Sequence, residues 1–491
     1  MTTLLSAHTD EKTGGREVGF VSEAKQYVLS LSGLPSARVG DVIVREDGSR
    51  AIVRALSGDQ LTALSLHHGA PQAGERYMHL LEPRLYSLGE HLFGRVINAL
   101  GEPVDNGEPF PPGNAPLTLD ADAPGIDVRI PIRDQLYSGI TLIDTLLPIA
   151  KGQRQLLFGP VRNGKTEFLT DIILNQEAYG TICVYAVIGK SLSELERVEK
   201  RIVRAKGKNI IVAALSDQPS PLIALAPAVA FLIADHFQRK GHDVLVILDD
   251  LDMHAKYLRE IALLESRLPG RESYPGDLFY EHAHLLERSG AFTKSFGGGS
   301  ITTLPVIDTD ALASTGIVST NLMSCTDGHL SFVSSLAAEG VYPAIADQQS
   351  ITRIGRAAQS LLQKQLSAEL RIILSTARQQ RRYAQFGTQV NKSVERLLRQ
   401  GDIIEEMLRQ TPGERIDAAK QVPLLSLTLT PFLLSRDEGF VATNKQRILD
   451  GLASRQELRE LSELALSNTP LKNYLKKVIA LESVFKELCR A

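Results

Sequence analysis

The sequence predicts a multidomain α/β chain with a small β-domain first, a parallel-sheet domain in the middle and a helical domain last. Three observations carry that reading. Short apolar runs broken by turn signals fill residues 18–81, and continuous β-branched runs separated by helix-length segments fill the middle. Beyond about residue 357 apolar residues recur at helical spacing. The boundaries fall at 1–82, 83–356 and 357–491.

In the first part, "DVIV" and "RAIVRAL" flank Asp47-Gly48, a pair that favours a hairpin turn. The stretch from Gly101 to Leu117, dense in Gly, Pro and Asn, reads as an extended connecting loop. The middle then carries "QLLF", "CVYAVI", "NIIVAAL", "DVLVILDD" and "ITTLPVI". Uninterrupted apolar runs of that kind fit parallel strands covered on both faces. In the last part Val394, Leu397 and Leu398, then Ile403, Ile404, Met407 and Leu408, are spaced as helix faces. Gly401 is placed to end one helix, and Asp402 with Glu405 has the spacing of a capping box that opens the next.

Composition narrows the function classes. A chain of 491 residues, 43% hydrophobic, is long enough for about three domains. No stretch approaches the roughly 20 uninterrupted apolar residues of a membrane span, and the N-terminus lacks the pattern of an export signal. Any membrane connection is therefore expected to run through partners. Cys183, Cys325 and Cys489 stand far apart and form no C-x-x-C pair, so neither a disulfide framework nor a zinc site is indicated. A net charge of −3 gives no electrostatic reason to expect nucleic acid.

The strongest chemical signal is Gly159, Pro160, Val161, Arg162, Asn163, Gly164, Lys165 and Thr166, which fit G-x-x-x-x-G-K-[ST]. Backbone N–H groups of such a loop cradle phosphates, the lysine reaches the terminal phosphates, and the hydroxyl binds magnesium. The motif follows an apolar strand and opens a helix-length segment, which is the context it needs. Asp249, ending "VLVILDD", sits where a parallel strand emerges towards a ligand and is expected to hold magnesium through water. Asp250 would point to the opposite side if the strand continues. Holding a nucleotide is thus indicated, whereas hydrolysis requires a further group to orient water.

At this point several segments, in unbroken order, resemble the alpha subunit of the F-type ATP synthase. They include "GITLIDTLLPIAKGQRQLLFGPVRNGKT", "DDLDMHAKYLREIALLESRLPGRESYPGD", "FGGGSITTLPVI", "PAIADQQSITRIGRAAQ" and "RRYAQFGTQV". The likeness spans roughly residues 18–410, and "LPGRESYPGD" favours the alpha over the beta branch. It implies an N-terminal β-barrel, a central P-loop (RecA-like) nucleotide domain and a C-terminal helical domain. It further implies a ring of three alpha and three beta subunits around a gamma subunit, with peripheral-stalk subunits outside. Such a complex sits peripherally on the cytoplasmic face of the inner membrane. Alpha sites of this family bind Mg-ATP or Mg-ADP without turnover.

Residue by residue, the resemblance assigns roles. Catalytic relatives place a glutamate after the glycine that ends the next strand; here "VIGKSLSELE" has Lys190 there, where alpha subunits usually carry glutamine. A protonated lysine attracts phosphate but offers no lone pair to a water proton. Glu194 and Glu196 are the nearest substitute bases, yet on a helix they lie roughly 200° apart within an ordinary charged face. Arg353, in "SITRIG", matches the arginine that alpha subunits supply in trans to a beta catalytic site, with Arg356 the near alternative. Pro343 and Gln410 match positions near the adenine, although Tyr342 replaces the usual arginine and Thr411-Pro412 breaks the pattern beside Gln410. The family's loop usually reads G-D-R-Q-T-G-K-T; Pro160 here supplies no N–H and Arg162 adds a charge.

The family's amphipathic N-terminal helix has only a short polar counterpart, so a different or missing stalk contact, as in a divergent second ATPase, is expected. A self-sufficient hexameric export-type ATPase shares the fold but needs a reactive glutamate. An RNA-translocating ring would call for a basic, aromatic N-terminal domain, whereas the first eighty residues offer only Phe20, Tyr27 and Tyr77.

Overall fold

The computed structural model of the chain describes residues 17–69, 71–79, 84–116, 122–203, 207–309, 316–385 and 392–489. The segment before residue 17, the boundary at 82–83 and the end of "RRYAQFGTQV" lie outside them.

The early apolar runs become six antiparallel strands: β1 (Val18–Lys25), β2 (Val28–Ser32), β3 (Val42–Arg45), β4 (Arg50–Ser57), β5 (Gln60–Ser65) and β6 (Arg76–His79). They close into a barrel in the order β1-β2-β5-β4-β3-β6. Closure leaves no strand edge exposed, and alternate residues such as Leu29, Leu31, Ile43, Ala51 and Val53 fill the interior. The predicted hairpin is present: β3 pairs with β4, and Gly48 turns the chain at φ 89°.

The middle runs form one sheet. Its path contains β7 (Arg95–Asn98), β8 (Leu156–Gly159), β9 (Ile182–Lys190), β10 (Asn209–Leu215), β11 (Asp243–Asp249), β12 (Ser300–Asp308), β13 (Gly328–Ser331) and β14 (Ile351–Thr352). The order is β14-β13-β8-β12-β11-β9-β10-β7, and the pairs along it are parallel except the edge pair β13/β14. Strand β9 shows why its sequence is continuously apolar. Val184, Ala186 and Ile188 enter one core layer while Cys183, Tyr185 and Val187 enter the other.

Helices α1 (Lys165–Gln176), α2 (Leu192–Ile202), α3 (Ser220–Gln238) and α4 (Leu251–Leu264) cover the faces. By length and composition α3 is able to cross a membrane, but its Ile223, Val229, Phe231 and Ile233 are buried against the sheet. The three cysteines are free thiols.

Of the helical domain, α5 (Leu361–Gln385) and α6 (Lys392–Leu408) differ from the sequence reading in one respect. Gly401 does not end a helix; α6 runs through it. A Cβ at Gly401 would lie 2.7 Å from that of Ala377, so glycine allows α5 and α6 to approach closely. The supposed capping pair instead serves the helix contact, Asp402 pairing with Arg381 and Glu405 with Arg378. Ile403, Ile404 and Met407 share a core layer with the α1 and α2 face of the sheet, so the two domains pack as one body.

Candidate functional site

Strand β8 delivers the chain to the carboxyl edge of the sheet, where open parallel sheets bind ligands. Two glycines shape the turn that follows. At Gly159, φ 152°, a Cβ would stand 2.4 Å from the Phe332 carbonyl oxygen; at Gly164, φ 82°, the chain passes through the left-handed region before entering α1. Val161 and Arg162 are exposed at the tip, whereas Asn163 is buried and donates its amide to Ser334 Oγ at 3.2 Å. The predicted loop is therefore formed.

Lys165 folds back into its own loop. Its Nζ donates to the carbonyls of Gly159 (2.7 Å) and Pro160 (2.6 Å) and lies 3.0 Å from Asp308 Oδ1. Register places Asp308 directly beside Gly159 on the neighbouring strand. Sequence reasoning missed this residue, although it ends an apolar strand just as Asp249 does.

Three carboxylates meet there: Asp249, Asp250 and Asp308 present oxygens within 4.8 Å of one another. The strand does not continue past Asp249, so the alternation that would turn Asp250 to the opposite side does not apply. Asp250 is the cap of α4, its Oδ1 accepting from the Met253 N–H at 2.6 Å, and its other oxygen faces the cluster. Asp249 Oδ2 accepts from the Tyr185 hydroxyl at 2.6 Å.

Lys190 enters this cluster from the end of β9. Its Nζ donates to Asp250 Oδ2 (2.6 Å) and Asp308 Oδ2 (2.6 Å) and lies 3.3 Å from Asp249 Oδ1. Burial works against its charge, but the three carboxylates outweigh burial and raise its pKa above the usual lysine range. Burial also pushes the Asp250 carboxyl upward. At Asp308 burial is outweighed by Lys165 and Lys190, which hold the carboxyl below its usual value.

The groups border a cavity of about 440 Å³, whose lining includes Arg162, Lys165, Thr166, Lys190, Arg197 and Asp249. That volume suits a small-molecule ligand, and the four basic side chains of the lining are matched by the carboxylates of Glu167, Glu194, Asp249 and Asp308. Glu194 also lines it, but one of its oxygens is taken by the N–H and hydroxyl of Ser191 in a capping box. Glu196 is exposed on the same helix and is not part of the lining.

The other predicted residues lie elsewhere. Pro343 is buried beside a second cavity of about 470 Å³ that Tyr342, Arg378 and Arg409 also line. Tyr342 donates its hydroxyl to Asp171 at 2.6 Å. Gln410 is buried with its amide fully engaged: Oε1 accepts from the Thr141 N–H at 2.6 Å, and Nε2 donates to the carbonyls of Gly139 and Glu414. Its side chain is thus consumed by the seam between domains and is not offered to a base.

Arg353 follows β14 and is exposed. Its backbone N–H donates to the Asp327 carbonyl at 3.0 Å, and Asp327 in turn pairs with Arg154, so all three stand at the amino ends of β8 and β13. From Arg154 to Gly159 the chain rises about 16 Å, so Arg353 stands at the opposite end of β8 from the phosphate loop of its own chain. Among the described residues no carboxylate pairs with Arg353 or Arg356.

A divalent cation was expected at Thr166 and, through water, at Asp249. Oxygen donors are present, and three carboxylates are the right chemistry for a hard cation. With Lys190 in place, however, the cluster does not fit one. The ammonium already takes one oxygen from each of the three carboxylates, so the place a cation would fill among them is occupied by Lys190 itself.

Two family models match the chain: the nucleotide-binding domain of the ATP synthase alpha/beta family over residues 139–352, and the C-terminal domain of the ATP synthase alpha/beta chain over 359–481. The chain is 35% identical over 419 residues to an ATP synthase subunit alpha of Dictyoglomus thermophilum, covering 85% of this chain and 82% of that one. It is 36% identical over 421 residues to ATP synthase subunit alpha 2 of Syntrophus aciditrophicus, covering 84% and 80%. With an ATP synthase subunit alpha of Caldanaerobacter subterraneus it shares 36% over 416 residues, covering 83% and 81%.

Proposed function

The chain belongs to the ATP synthase alpha-subunit family, and from that premise we propose a nucleotide-holding subunit that does not hydrolyse what it holds. ATP or ADP binds at the Gly159–Thr166 loop, with Lys165 turning from the loop carbonyls to the phosphates. Thr166 remains a hydroxyl donor for a metal ion carried by the nucleotide, while Asp249 is engaged by Tyr185 and Lys190.

The observation that carries the reading is the ammonium of Lys190 at the position after Gly189. A general base needs a lone pair within reach of water, and a lysine held protonated by three carboxylates has none to give. Arg353 is the residue this chain lends: exposed, unpaired among the described residues and remote from its own loop, it serves the catalytic site of an adjacent beta subunit. Partners follow as beta subunits in an alternating ring, a gamma subunit within it and peripheral-stalk subunits outside. The membrane, at its cytoplasmic face, is reached only through the complex, where ion translocation occurs.

The test is made on the purified chain alone. It is expected to retain ATP or ADP, identified by mass spectrometry, and to release no phosphate above background. Sustained turnover without any partner would overturn the reading in favour of a self-sufficient hexameric ATPase.

A further inference from the structure

Lys190 does more than occupy the place of a base. An ammonium has three protons, and three carboxylate oxygens surround this one at 2.6, 2.6 and 3.3 Å. Each carboxylate is fixed from a different element: Asp249 by the Tyr185 hydroxyl, Asp250 by the Met253 N–H, and Asp308 by Lys165. The side chains of Lys190, Asp249 and Asp250 are largely or wholly buried, at 12%, 10% and 1% exposure. A trio of carboxylates of which Asp249 and Asp250 are buried and Asp308 is 20% exposed calls for a compensating cation, and the chain supplies it covalently.

We infer that Lys190 is a tethered counter-cation standing in for the divalent metal, so that this pocket takes ATP or ADP without requiring a divalent cation. The inference rests on the reading of the cavity as a nucleotide site and names its ionic requirement. Phosphate charge is met by Lys165, the loop N–H groups, Arg162 and Arg197 at the rim, and the ammonium beneath. A second cation entering the cluster would have to displace Lys190 from three partners.

The experiment is equilibrium binding of ATP to the purified full chain, with excess magnesium and with EDTA. Wild-type affinity is expected to differ by less than about threefold between the two, whereas a loss of about tenfold or more in EDTA overturns the inference. In Lys190→Gln the carboxylates lose their cation, and ATP binding is expected to weaken about tenfold or more when magnesium is removed. Lys190→Arg, which keeps a charge there, is expected to stay insensitive.

Direct titration of the ligand-free proteins with Mn2+, followed by electron paramagnetic resonance, separates this inference from its premise. Lys190→Gln is expected to gain a Mn2+ site that wild type lacks. If neither protein binds ATP, the nucleotide reading falls while the Mn2+ titration still decides what Lys190 does. Equal Mn2+ binding by both proteins overturns the tethered-cation role. Should Lys190→Gln fail to fold, the wild-type comparison in EDTA decides alone.

Discussion

The carboxylate of Asp308 accepts a hydrogen bond from Lys190 at 2.6 Å, and its other oxygen lies 3.0 Å from Lys165, so one aspartate bridges both lysines of the cavity. Phosphate must compete with Asp308 for Lys165. Asp308→Asn is therefore expected to lower the stability of the ligand-free protein by about 1.5–3 kcal/mol, the range for hydrogen bonds to charged groups. The same change is expected to tighten ATP binding, because it removes both a competitor and a negative charge. Denaturant melts without nucleotide, alongside ATP titrations, check the two signs; weaker ATP binding would contradict the competition.

Arg353 is held by its backbone to Asp327, while its guanidinium is free of carboxylates among the described residues. Arg353→Ala is accordingly expected to leave folding unchanged within about 0.5 kcal/mol, as for surface positions generally. In a ring reconstituted with beta subunits it is expected to lower hydrolysis by about 10³-fold or more. Arg353→Lys keeps the charge but loses the planar fork and is expected to restore little of the rate. Arg356→Ala is the control, and steady-state hydrolysis reads all three. Unchanged turnover in Arg353→Ala refutes the trans role.

The strands and the loop were legible because their signals are local. Runs such as "CVYAVI" are apolar on both faces, and Gly159 and Gly164 occupy positions whose backbone angles few other residues tolerate. What escaped the sequence depends on contacts made far along the chain. Gln410 carries no mark that Thr141, 269 positions away, consumes its carbonyl. Gly401 reads as a helix stop unless Ala377 is known to lie against it. Whether Asp250 joins Asp249 turns on where the strand ends, because period-two alternation holds only while a strand lasts, and here the chain has already turned to cap α4. Asp308 alone was accessible in principle, since it ends its apolar run as Asp249 does, beside the first glycine of the loop.

Tyr342 replaces the arginine usual before this proline in the resembled family, and its hydroxyl shares Asp171 Oδ2 with the Gly413 N–H at 2.9 Å while Arg201 takes Oδ1 at 2.7 Å. Asp171 is wholly buried, so it depends on all three donors. Tyr342→Phe preserves the ring and opens no cavity, but leaves that carboxylate one donor short. The expected loss is about 1–3 kcal/mol. Because Gly413 belongs to the helical domain, backbone amides around residues 410–416 are expected to exchange faster in the variant. Hydrogen exchange read by mass spectrometry tests this, and unaltered protection there would show that Arg201 and Gly413 suffice.

Between α3, α4 and the helix Leu278–Glu287, two buried histidines form a chain of fixed direction. His254 Nε2 lies 3.1 Å from the Ala224 carbonyl, an acceptor only, so this nitrogen carries the proton and His254 Nδ1 accepts from His282 Nε2, also at 3.1 Å. His282 Nδ1 is then left bare, in keeping with its having no partner among the described residues. Burial lowers the pKa of His254 to about 4 and that of His282 well below its ordinary value, the second with a further contribution from His254. Well above pH 6.5 both imidazoles are neutral in the folded and unfolded chain and titration contributes nothing. As pH falls below that value the unfolded chain binds protons that the native pair refuses, so stability is lost progressively down to the folded pKa values. For His254 the full loss is roughly 3 kcal/mol at about pH 4. Denaturant melts at pH 7.5 and pH 5 are expected to show the decline. The double variant His254→Gln, His282→Gln is expected to flatten it even where its plateau is lower, because an amide takes up no proton. Parallel profiles for wild type and the double variant would mean that the acid sensitivity of this protein arises elsewhere.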